Sequence, residues 1–213
     1  MKKKLLKFVF VVLLCCGGLS QAAPITIKIT GNVTGVGVTL ASVPDSIHAG
    51  VPFTGTYTYD SAAPDSDANP QRGVYQYNSP YGISISLGGY EFKTAPNHVG
   101  QFEMRIINDQ VDNGVHDYYT VFSDENVSIP SVGFEVNYIS WNLGDSTHTA
   151  LSSGDLPVTA PVLTDWDYNV LAISGYDSFG HGIFIKGTVT QAIPEPLTSL
   201  LMMTGVFLLR RRR

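Results

Sequence analysis

The sequence predicts an all-β fold: one antiparallel β-sandwich or jelly-roll-like domain over residues 23–192. Three observations carry this. Apolar and polar residues alternate with period two in run after run between residues 25 and 190. Most prolines of the central region (Pro44, Pro52, Pro64, Pro70, Pro80, Pro96 and Pro130) fall between those runs, as a sheet requires, because proline cannot donate to a ladder. No window outside the termini keeps a helical period over three turns. Composition agrees. Of 213 residues, 44% are hydrophobic, 11% aromatic and only 15% charged, with 21 Gly and 12 Pro. A coiled coil would need an Ala/Glu/Lys/Leu bias, and a disordered polyelectrolyte would need few aromatics, so both are excluded.

The expected strands follow in order. Ile25, Ile27 and Ile29 face one way, with Thr26, Lys28 and Thr30 on the other side. A short piece follows at Val38–Leu40. Phe53, Gly55, Tyr57 and Tyr59 alternate with threonines, and Ile83, Ile85 and Leu87 with serines. Gly88-Gly89 reads as a two-residue hairpin turn into Tyr90–Lys93, because glycine accepts the positive φ that such turns demand. Phe102, Met104 and Ile106 form the next set, then Tyr118–Phe122. Val132, Phe134, Val136 and Tyr138 form another, then Tyr168–Ile173, and finally Ile183, Ile185 and Val189. Each is a half-buried strand with one face in a core. An echo links Ile29-Thr30-Gly31-Asn32-Val33-Thr34 with Ile185-Lys186-Gly187-Thr188-Val189-Thr190 and suggests that first and last strands lie side by side.

The two ends read as addresses. Lys2, Lys3, Lys4 and Lys7 precede an unbroken apolar run from Phe8 to Leu14, and Ser20-Gln21-Ala22 closes it with small residues. That is the layout of a secretory signal peptide over residues 1–22, forming a signal helix read by the export machinery and cut by signal peptidase. Cleavage after Ala22 is expected, since cutting after Ala23 would leave Pro24 at the new N-terminus. Cleavage also removes Cys15 and Cys16, so the mature protein would have no disulfide and no thiolate chemistry.

At the other end, residues 193–213 hold Pro194-Glu195-Pro196, an uncharged span from Leu197 to Leu209, and Arg210, Arg211, Arg212 and Arg213. Thirteen helical residues reach roughly 20 Å, short of a hydrocarbon core of about 30 Å, so this transmembrane helix is a brief hold rather than a permanent anchor. The arginines should stay on the cytoplasmic side, leaving the triad outside. This C-terminus resembles the PEP-CTERM sorting signal of Gram-negative bacteria. The central region (Gly31 to Thr34, Phe53 to Asp60, Leu151 to Pro157) also resembles ectodomains found ahead of such tails, for which the family implies no established activity. The resemblance implies that an exosortase, a membrane-embedded cysteine protease, recognises the tail and cuts near the triad. Carriers of the family are usually exopolysaccharide and biofilm producers. The expected destination is the cell surface or extracellular matrix.

Between Ala23 and Ile193, five basic residues against seventeen acidic ones leave a net charge of −12. Such a domain repels phosphate backbones, which excludes nucleic acid as a partner, and it would repel an acidic polysaccharide unless divalent cations bridged the two.

Catalytic signatures are sparse. The five histidines are scattered without ligand spacing, and no nucleophile elbow, phosphate loop or dinucleotide fingerprint occurs. No catalytic residue is assigned, and a non-enzymatic surface or matrix protein is the leading expectation. Two alternatives remain for the loops. Asp60, Asp65 and Asp67 lie in one acidic loop, while Asp109, Asp112 and Asp117 lie in another beside Asn108, Asn113 and Gly114. Hard oxygen ligands of this kind suit a structural Ca²⁺, with Asp109, Asp112 and Asp117 as the candidate set, although ordinary polar turn chemistry explains them as well. The other alternative is a carbohydrate-binding or carbohydrate-cleaving sandwich, a glycoside hydrolase in its catalytic form. Trp141 or Trp166 would serve there with loop acids, Trp166 as a stacking platform flanked by Asp165 and Asp167.

Overall fold

The computed structural model describes residues 24–39, 43–110 and 116–195. The expected signal peptide with Ala22 and Ala23, the apolar span 197–209, Pro196, Arg210–Arg213 and Asp112 lie outside them. Among the described residues no helix is long and apolar enough to cross a membrane.

Ten strands form a single antiparallel sheet: β1 (Pro24–Val38), β2 (Pro52–Asp60), β3 (Arg72–Tyr77), β4 (Gly82–Leu87), β5 (Tyr90–Lys93), β6 (Phe102–Gln110), β7 (His116–Ser123), β8 (Glu135–Asp145), β9 (Tyr168–Tyr176) and β10 (Gly182–Pro194). Their spatial order is β3-β6-β7-β8-β9-β10-β1-β2-β4-β5. The all-β antiparallel class is as the alternation predicts. The sheet curls, so β4 lies against β7 and β5 against β8. Its inner face becomes the core, where Phe92 of β5 stacks on Phe134 with ring centroids 6.1 Å apart.

The predicted pairing of the first and last strands holds: Val33 faces Gly187 and Ile27 faces Pro194. The two glycines of the echo have a packing reason. A Cβ on Gly31 would lie 2.5 Å from the Phe53 ring, and one on Gly187 would lie 2.6 Å from it. The ring of Phe53, which is buried, lies across both neighbouring strands, and only glycine leaves room for it there. The Gly88-Gly89 hairpin also forms, with φ of 60° and 87°, the doubly positive geometry a two-residue turn requires.

Three elements differ from expectation. Val38 is the end of the long β1 rather than a separate strand. β3 was not foreseen, because its alternation is only Gly73, Tyr75 and Tyr77 facing inward, too short and glycine-diluted to stand out. The expected strand at Val132 begins later: Pro130–Val132 is a 3-10 turn ended by Gly133 at φ 85°, and the strand proper runs from Glu135 to Asp145. A register shift between Val136 and Tyr138 then swaps the faces. Tyr138 leaves the core side, and Ile139, Trp141 and Leu143 take it.

Both ends of the sheet are covered. Along β3, the Val74 N–H donates to the Asp65 carboxylate at 2.9 Å, and its carbonyl accepts from Ser66 N and Oγ at 3.0 and 2.9 Å. Beyond β5, Val127 N donates to the Lys93 carbonyl and Ala95 N to that of Glu125, both at 2.8 Å. At Val74 and Lys93 the edge backbone groups are therefore already bonded and do not pair with a further strand.

Candidate functional site

The outer face of β6–β9 carries two adjoining recesses. Strand register builds them row by row. In one row Ile107, Tyr118, Gly144 and Tyr168 lie side by side on four strands; in the next, Arg105, Thr120, Asn142 and Val170. Gly144 has no side chain, so Tyr118 and Tyr168 become the walls of a slot with backbone as its floor. This recess measures about 480 Å³ and also takes in Asn142, Ser146 and Asp167. A second recess of about 460 Å³ continues from Tyr118 and Asn142 to Phe122, Tyr138 and Ser140, with Arg105 and Thr120 at its side. The Phe122 and Tyr138 rings meet at 5.9 Å.

Polar groups run through the middle. Thr120 Oγ1 donates to Asn142 Oδ1 at 3.1 Å, and Asn142 Nδ2 donates to Ser140 Oγ at 3.0 Å. Each of the three keeps hydrogen-bonding capacity beyond these bonds, since an amide offers two donors and two lone pairs and a hydroxyl both donates and accepts. Arg105 Nε pairs with Glu103 on the same strand, and the Asp167 carboxylate accepts from Ser146 N at 3.0 Å and from Ser146 Oγ.

The tryptophans proposed as platforms stand elsewhere. Trp141 is fully buried on the inner face, with its indole N–H donating to Asn169 Oδ1 at 3.0 Å. That corrects its assignment as a sugar platform, because no ligand reaches a ring sealed in the core. Its position follows from the face swap in β8. Trp166 is half-buried and packs edge-on against core Tyr119 at 6.4 Å. The aromatic side chains that do line a recess are Tyr118, Phe122, Tyr138 and Tyr168, which the sequence reading passed over as ordinary strand residues. Of the flanking acids, Asp165 accepts from its neighbour Thr164, and Asp167 accepts from Ser146 of the loop after β8.

The acidic loops are organised by backbone donors. Asp67 N donates to Asp65 and Asn69 N to Asp67 at 2.8 and 2.9 Å, a chain of Asx turns. In the second loop Asp117 is fully buried, and its two oxygens accept from Asp109 N at 3.1 Å and Leu151 N at 2.8 Å. Asp109 reaches His148 Nδ1 at 3.0 Å. Asp145, opposite Asp117 across the β7–β8 pair, is a structural acid that sequence reasoning did not single out. It accepts from Thr147 N and Oγ1, Thr149 N and Ala150 N at 2.7–3.1 Å. Burial works against its ionisation, but these bonds prevail and hold its pKa at about 2. Among the described residues, no three such side chains come close enough to hold a metal ion.

One further buried group belongs to the turn before β6. His98 Nε2 donates to the Tyr81 carbonyl at 2.6 Å, which leaves Nδ1 a buried acceptor without a partner.

No family model, curated protein or solved structure matches this chain.

Proposed function

We propose that this is an exported, non-catalytic protein of the cell surface or extracellular matrix, sorted and processed through its C-terminal tail and associated with exopolysaccharide. The reading rests on the sequence order of triad, short apolar span and arginine cluster. The observation that best supports it is how far the sheet reaches towards the tail. Pro194 pairs with Ile27, and Glu195 N donates to the Thr26 carbonyl at 2.8 Å, so the pairing of β1 with β10 extends to the first two residues of the triad. The chain that follows the signal peptide and the chain that enters the tail therefore leave from adjacent strands. A protein held briefly by one end and released by a cut beyond the sheet keeps every ladder bond of its domain.

The finer architecture belongs to the same proposal. The curled sheet works as a flattened sandwich of jelly-roll type, its layers joined across the core by contacts such as Tyr57 on β2 with Tyr119 on β7, whose hydroxyls are 2.8 Å apart. A non-catalytic role is supported by the contacts of Asp165 with neighbouring Thr164 and of Asp167 with Ser146 of the loop after β8, since glycoside hydrolysis needs two carboxylates facing each other across a cleft.

The test changes Pro194-Glu195-Pro196 to Ala-Ala-Ala in the native host and follows intact mass and membrane fractionation. The expected result is uncleaved, membrane-held protein with Arg210–Arg213 still attached. Normal release of a shortened chain overturns the sorting reading.

A further inference from the structure

We infer that the outer-face groove of β6–β9 is a binding site for a neutral polysaccharide chain. The ligand class follows from the lining. A sugar ring presents apolar C–H faces and a rim of hydroxyls, so its site needs aromatic faces and hydrogen-bonding side chains side by side. Here Tyr118 and Tyr168 wall a slot floored by Gly144, Phe122 and Tyr138 wall the second recess, and the hydrogen-bonded strip Thr120–Asn142–Ser140 runs between them. Tyrosine is suited to such a surface because its ring is apolar and its hydroxyl is not. The two recesses share Tyr118 and Asn142, so they form one track across the strands, and each has the volume of a small-molecule site. A track made of two joined subsites takes a chain better than a single sugar.

Charge selects among chains. Arg105 is paired with Glu103, and Asp167, which accepts from Ser146, keeps its negative charge, so the groove has no unpaired cation to hold an anionic chain. The surrounding domain carries a net −12, which repels a polyanion. A neutral polymer meets no such penalty. A peptide strand is disfavoured for a different reason: strand addition needs a bare sheet edge, and this groove lies on a sheet face. An amphipathic helix needs an apolar groove, and here the centre is polar. This inference names a ligand for the proposed matrix protein but rests on the groove alone, so it stands or falls independently of tail processing.

The experiment uses the protein as the host processes it. Affinity electrophoresis and calorimetry would measure binding to dextran, soluble starch and a mixed-linkage β-glucan, with alginate as the polyanionic control. Two variants probe the slot. Tyr168→Ala removes a wall that is 52% exposed. Gly144→Ala puts a methyl group on the floor, where a Cβ meets only ordinary contacts of 3.5–3.8 Å with Tyr168 and Tyr118. The expected result is binding to at least one neutral polymer and none to alginate, with each variant weakening binding at least tenfold at unchanged melting temperature. Three results would overturn the inference: no binding to any neutral polymer, binding untouched by both variants, or equal binding to alginate. Loss of a concentration-dependent dimer in the variants, with no glycan binding in the parent, would assign the face to a second copy of this chain instead. The sorting test reads the C-terminal mass and this one reads ligand affinity, so failure of one leaves the other in place.

Discussion

Tyr118 and Tyr119 are neighbours on β7 and belong to different worlds. Tyr119 points inward. It is 1% exposed, its hydroxyl meets that of Tyr57 at 2.8 Å, and its ring packs against Trp141 and Trp166 at 6.0 and 6.4 Å. Tyr118 points outward and walls a recess on the solvent side. One residue type, one strand and one step in sequence give a core strut and a candidate ligand wall. The period of two decides which face each residue joins, and the company on that face decides what the residue does.

The sharpest way to break this contrast is to truncate each tyrosine in turn. We expect Tyr119→Ala to destabilise the protein by about 3–5 kcal/mol, the cost of emptying a large aromatic site in a close-packed core. Tyr118→Ala should cost about 1 kcal/mol or less, as most surface substitutions do, while abolishing glycan binding. Urea unfolding of the two variants checks this. Equal losses of stability would mean that the outer face is packed as part of the structure.

How far the sequence reveals the two faces differs in the same way. The inner face is written locally: Ile27, Ile29, Tyr57, Tyr59, Ile83 and Ile85 alternate as expected, and all are buried. β8 marks where that reading stops. Its register shift near Asn137 exchanges the two faces, and nothing in the local pattern announces the shift, so the side on which Trp141 lies does not follow from the alternation. The groove is a stronger case. Gly144, Tyr118 and Tyr168 meet only because β8 lies between β7 and β9 in one register, and strand order is a non-local property. The acidic loop was visible as composition, but Asp145 was not, because its importance comes from the donors that the loop after β8 folds back onto it.

Asp145 allows a second, smaller test that sets the loops against the sheet. Asp145→Asn keeps one carbonyl oxygen but replaces the other acceptor with a donor, which strands N–H groups of Thr149 and Ala150 or of Thr147. We expect a loss of about 2–3 kcal/mol at neutral pH, in the range for hydrogen bonds to a charged group. The pH dependence has a definite sign. The folded carboxyl titrates at about 2, below its ordinary 3.8, so its stabilisation is complete above about pH 4 and disappears as pH falls through 2. The difference between parent and variant should therefore shrink in acid. A difference that stays constant down to pH 2 would show that shape, not charge, holds the loop.

A smaller effect than that of Asp145→Asn, and a more specific one, concerns the hydroxyl pair that joins the layers. Burial raises the pKa of Tyr57 and of Tyr119 well above 10. Both are therefore neutral at physiological pH, and one donates to the other. Tyr57→Phe or Tyr119→Phe leaves a single buried hydroxyl without its partner, which should cost about 1–2 kcal/mol. Removing both hydroxyls leaves none stranded, so the double variant should lose less than the sum of the single losses. Alkaline titration supplies an independent arm. Groups whose folded pKa lies above the unfolded value give stability that is full below about pH 10 and declines as pH rises beyond it. The double variant removes two such groups, so its stability should fall less steeply above pH 10. The slope should not vanish, because Tyr59, pushed to about 12 by burial, remains in the core, as does Tyr77, raised by burial and by its neighbours. Strict additivity of the two single variants, together with an unchanged alkaline slope, would mean that the two rings act as separate apolar fillers and that the bond between them contributes nothing to joining the layers.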